Sequence, residues 1–94
     1  MVIKDLLNEL KDLNILIVED GADIRDIMST TLGKIFNSTR TAVDGLDGLE
    51  KFKEEQPDLI ISDIRMPNMS GNEMITAIKE INPNMPVIVV SGHG

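Results

Sequence analysis

Leu59-Ile60-Ile61-Ser62-Asp63-Ile64-Arg65-Met66-Pro67-Asn68-Met69-Ser70-Gly71 is the stretch on which the reading of the fold turns. Its opening run, Leu59 to Ser62, is apolar without alternation and closes on a carboxylate, Asp63; a loop punctuated by Pro67 and Gly71 follows. Such a run fits a strand covered on both faces, as in a parallel sheet wrapped by helices. Upstream, Ile15-Leu16-Ile17-Val18 repeats the pattern and also ends in acid, Glu19-Asp20. Two buried-type strands that each deliver carboxylates at their C-terminal ends point to a metal-assisted phosphoryl site.

Working outward, Ile3, Leu6, Leu7, Leu10 and Leu13 recur at helical spacing and give residues 3–13 one apolar face. After the strand at 14–18, a helix is expected over 22–35, with Ile24, Ile27, Met28, Thr31, Leu32 and Ile35 as its inner stripe and Asp20 or Asp23 as its cap. Residues 38–43 suit a short, more exposed strand. Asp44-Gly45 reads as a turn and cap signal with no chemistry implied. Leu46, Leu49 and Phe52 mark a helix ending near Glu55, before Pro57. Beyond the strand at 58–62, Met74, Ile75, Ile78 and Ile81 outline another helix, Asn82-Pro83-Asn84 breaks it, and residues 85–90 form a fourth strand. The order β-α-β-α-β-α-β calls for a parallel sheet with helical crossovers, while periodicity alone leaves the strand order open.

The chain of 94 residues is one small domain. Phe36 and Phe52 are its only aromatics, so Ile, Leu, Val and Met must fill the core. No apolar run approaches the ~20 residues needed to cross a bilayer, and the N-terminus lacks the layout of a signal peptide. Without cysteine there is neither a disulfide framework nor a thiolate metal site. A soluble cytoplasmic protein without membrane contact is the expectation. The net charge of −7 speaks against direct nucleic-acid binding, which is driven by basic groups on phosphate.

The spacing D-x-x-M-P-x-M-x-G after an apolar strand, with the acidic doublet upstream, resembles the receiver domain of bacterial two-component response regulators. The resemblance runs from about Asn14 to Ser91. It implies a flavodoxin-like doubly wound parallel α/β sheet, in the order 2-1-3-4 here, with the first and third strands adjacent at the topological switch point. Glu19, Asp20 and Asp63 then converge, and their mutual repulsion calls for a hard cation that takes oxygen ligands. The resemblance implies Mg²⁺ on Glu19, Asp20, Asp63 and the backbone carbonyl of Arg65. It makes Asp63 the phosphoacceptor, a carboxylate nucleophile toward phosphorus, served by a sensor histidine kinase. The Ser91 hydroxyl becomes the switch contact that shifts the adjacent loop, read by an output domain or partner protein outside this chain. His93 reads as a surface loop residue.

Two other functions compete with this non-enzymatic one. An Mg²⁺-dependent phosphatase or phosphotransferase could use Asp63 as nucleophile, but such enzymes usually carry a second aspartate where Arg65 stands. An inert interaction fragment is the third. Residues 1–13 are expected as an N-terminal amphipathic segment and 14–94 as a receiver truncated after its fourth strand, because the family's last helix, Lys-Pro-ending strand and final helix do not follow. That absence implies weakened phosphoryl transfer without the lysine and uncovered apolar surface on the first helix and the fourth strand. Self-association, or the 3–13 segment folding over that face, would cover it.

Overall fold

The computed structural model describes residues 3–66 and 68–90, with every side chain among them except that of Leu7. Strands β1 (Asn14–Val18), β2 (Ser38–Ala42), β3 (Leu59–Asp63) and β4 (Val87–Val90) form one sheet in the order β2-β1-β3-β4. All pairings are parallel, with Ile15 opposite Leu59 and Val18 opposite Ser62 at the central junction. The expected order 2-1-3-4 is therefore the observed one. Helices α1 (Ile3–Leu10), α2 (Ala22–Leu32), α3 (Gly45–Glu54) and α4 (Gly71–Ile81) complete the fold.

The unalternating apolar runs are explained by cover on both sides of the sheet. Leu16, Val18 and Ile60 join Phe52, Leu49, Met74 and Ile78 in the core under α3 and α4. Ile15, Ile17 and Ile61 point the other way and meet Met28, Leu32 and Phe36. Phe52 is fully buried and is the largest side chain of the core.

Local chemistry sets the helix starts. Asp44 caps α3 by accepting from Asp47 N. Ser70 and Glu73 form a reciprocal capping box at α4, satisfying two backbone donors at once. For α2 the expected aspartate cap is not found: Gly21 holds the N-cap position without a side-chain bond. Asp20 instead lies with the carboxylates at the end of β1, and Asp23 sits in the first turn, where its charge favours the helix dipole.

Two apolar assignments and one strand boundary are revised. The inner stripe of α2 is narrower than expected: Met28 and Leu32 pack inward, whereas Ile24 and Ile27 are 43% and 65% exposed and Thr31 also faces outward. One helix covers this side of the sheet among the described residues, so Met28 and Leu32 pack against the sheet yet stay half-buried. The fourth strand begins at Val87 rather than at residue 85; Ile88, Val89 and Val90 are exposed at the sheet edge, as expected for this strand. Ile3 and Leu6 of α1 are exposed too, so the segment does not bury its apolar face over the sheet. Pro67, Ser91, expected as the switch residue, and His93 lie outside the described residues.

Candidate functional site

The site lies where β1 and β3, neighbours in the sheet, both end. Asp63 is the last residue of β3 and is buried. Its Oδ1 accepts from the N–H of Ile64 at 2.7 Å and of Arg65 at 3.3 Å, which fixes the plane of the carboxylate. Glu19 follows β1 directly; its N–H continues the sheet by donating to Ala42 O at 3.1 Å. The Glu19 side chain is buried and accepts from Gly21 N at 2.9 Å through Oε2. Asp20 is exposed at the rim.

Glu19, Asp20 and Asp63 each offer a carboxylate oxygen, and the three atoms lie within 4.8 Å of one another. Burial pushes the Glu19 carboxyl up from its ordinary range; the Gly21 N–H opposes this, while Asp20 and Asp63 add to it. A set of oxygen donors with unfavourable mutual charge is the donor chemistry of Mg²⁺ or Ca²⁺ rather than of a soft metal. The residues present therefore fit a hard divalent cation. Of the expected ligands, three are brought together. Arg65 stands beside them, with its N–H on Asp63 and its residue surface exposed, so its side chain is not enclosed in the crevice.

Sequence reasoning missed some of the supporting residues. Arg25 reaches back from α2 and donates through Nη1 to the carbonyl of Glu19 at 2.9 Å and to that of Asp20 at 3.4 Å. These two bonds hold the backbone of the doublet. Asn68 adopts a positive φ of 67° and donates through Nδ2 to Asp44 Oδ2 at 2.7 Å. The Asp47 N–H, then the Asn68 amide, hold the Asp44 carboxyl below its ordinary range. A signal for Asn68 was available, since Asn is among the few side chains that tolerate the left-handed region in a tight loop.

With this geometry in hand, comparison with known proteins is decisive for the class. The response regulator receiver domain profile matches residues 15–94, and the chain belongs to that family. Among curated relatives, it is 34% identical over 84 residues to the transcriptional regulatory protein GlrR of Escherichia coli, covering 89% of this chain and 19% of that protein. It is 37% identical over 81 residues to the chemotaxis protein CheY of Thermotoga maritima, covering 85% of this chain and 68% of CheY. Among solved structures, the N-terminal domain of an uncharacterized protein from Wolinella succinogenes superposes with a TM-score of 0.82 at 43% identity, over 87% of this chain and 66% of that one. A response regulator receiver domain protein from Clostridium thermocellum gives a TM-score of 0.80 at 33% identity, over 87% and 67% of the two chains.

Proposed function

We propose that this receiver domain accepts a phosphoryl group on Asp63 from a sensor histidine kinase, in an Mg²⁺-dependent reaction, and relays the change to an output domain or partner protein. The observation that carries the reading is the meeting of Glu19, Asp20 and Asp63 within 4.8 Å at the ends of adjacent strands. The Asp63 carboxylate attacks phosphorus in line; the P–N bond to the kinase histidine breaks as the new P–O bond forms, and the electron pair leaves with the imidazole. The Ile64 and Arg65 N–H groups orient that carboxylate beforehand, and positioning is most of what such a transfer asks of a protein. Glu19, Asp20, Asp63 and the Arg65 carbonyl would hold Mg²⁺, which when bound supplies positive charge opposite the phosphoryl oxygens. Ser91 is the proposed switch hydroxyl, and the proposed setting is the cytoplasm.

The reading makes the domain a phosphoacceptor rather than a turning-over enzyme, because the position two residues after Asp63 holds Arg65 and no second aspartate. The exposed side chains of Ile24, Ile27 and Ile88 support a further part of the proposal, self-association through an apolar face. Incubation with a small acyl phosphate, with and without Mg²⁺, followed by intact mass and peptide mapping, tests the reading. The expected result is weak, Mg²⁺-dependent labelling of Asp63, at most one phosphoryl group per chain, lost in Asp63→Asn. Many turnovers without a retained label would favour the phosphatase, and no reaction with Mg²⁺ present would overturn the proposal.

A further inference from the structure

We propose that Asp44, outside the carboxylate trio, is a positioning residue: its side chain ties the first turn of α3 to the loop that follows Asp63. The inference deepens the phosphoacceptor reading and rests on it for its functional consequence. A helix cap alone needs one acceptor oxygen. Asp44 uses both, Oδ1 accepting from Asp47 N at 2.8 Å and Oδ2 from Asn68 Nδ2 at 2.7 Å, in two different elements. The φ of 67° at Asn68 is one that glycine would adopt at least as readily, so what asparagine adds there is its amide.

A second contact closes the same seam independently. Gly45 N donates to Met69 O at 3.1 Å, and a Cβ on Gly45 would lie only 2.1 Å from that oxygen, so the two backbones meet without room for a side chain. The acceptor loop is pinned again where it enters α4, by Gly71 N donating to Ile64 O at 2.9 Å. The second pin holds the carbonyl of Ile64, the residue whose N–H, with that of Arg65, holds Asp63 Oδ1. Releasing Asn68 from Asp44 loosens one of the pins, and the donors that orient the acceptor carboxylate move with the loop.

Two substitutions isolate the tie. Asn68→Gly suits the positive φ and removes only the amide, while Asp44→Ser keeps a good N-cap and gives up the second oxygen. Amide hydrogen exchange of Ile64 and Arg65 reports the loop directly, and Ile17 and Ile61 in the central strands report the fold. The expected result is exchange about fivefold faster at Ile64 and Arg65 in either variant, the magnitude of one net hydrogen bond. The double variant adds nothing further, because both changes break one contact. Ile17 and Ile61 stay as in the parent, and Mg²⁺ binding weakens severalfold. Unchanged exchange at Ile64 and Arg65 overturns the proposal, and so does uniform acceleration that includes Ile17 and Ile61, which a merely structural role would give. The exchange response in the variants, together with a parent that binds no Mg²⁺, supports the tie and overturns the phosphoacceptor reading alone.

Discussion

Replacing Gly71 by alanine probes how closely α4 approaches the acceptor. A Cβ built on Gly71 would lie 2.4 Å from Asp63 O, 2.9 Å from Ile64 Cα and 3.2 Å from the Asp63 carbonyl carbon. All three are backbone atoms, so no side-chain rotation relieves the clash; the first turn of α4 or the strand end must shift. Overpacking of this kind costs about 1–3 kcal/mol. With three backbone contacts the cost lies in the middle to upper part of that range, and the better helix propensity of alanine returns at most ~1 kcal/mol, so the net loss is about 1–2 kcal/mol. For a domain of this size each kcal/mol lowers Tm by about 4–8 °C, giving a drop of about 5–15 °C. Thermal unfolding by circular dichroism measures it, with Thr30→Ala on the exposed side of α2 as a control expected within about 0.5 kcal/mol of the parent. Amide spectra should show the Asp63 and Ile64 resonances moved in Gly71→Ala. A Tm indistinguishable from the parent's, with those resonances in place, would refute the close approach as drawn.

Ser70→Ala should cost ~1 kcal/mol in urea unfolding, because it removes the oxygen that accepts from Glu73 N at 3.2 Å and with it half of the capping box; an unchanged midpoint would contradict the cap. Glu19 predicts a pH dependence of definite sign. Its carboxyl is pushed up by burial, so the folded chain holds the proton more tightly than the unfolded one. The favourable contribution is full below the ordinary glutamate range and is lost as pH rises through the raised folded value. Glu19→Gln should therefore flatten that part of the stability–pH profile and raise the Tm of the cation-free domain at neutral pH; a lower Tm there would show the sign to be wrong.

Much of the fold was legible because the strongest signals were also the most buried. Ile15 to Val18 and Leu59 to Ile61 have no polar alternation since both faces of the central strands are covered. The strand order came through the resemblance, for nothing in the period of a strand says which neighbour it takes. Periodicity located the inner side of α2 but not its width, and Ile27 was lost because a stripe in sequence does not say how much cover lies beneath it. Val87 to Val90 is the uncovered edge that the resemblance implied, although its apolar run alone would read the same in the middle of a sheet. At the site, the carboxylates were visible through their positions at strand ends. Arg25 was not, because its partners are backbone carbonyls, which leave no mark in side-chain patterning. The Ser70-Gly71-Asn72-Glu73 box did carry a readable signature, S-x-x-E.

A calorimetric Mg²⁺ titration of the domain, set against Asp20→Asn and against Asp26→Asn on the exposed surface of α2, tests the central claim most directly. One site is expected in the parent, with affinity about tenfold weaker or worse in Asp20→Asn and no change in Asp26→Asn. Equal affinity in all three, or none in the parent, would contradict the assignment of Glu19, Asp20 and Asp63 as a cation site serving the acceptor.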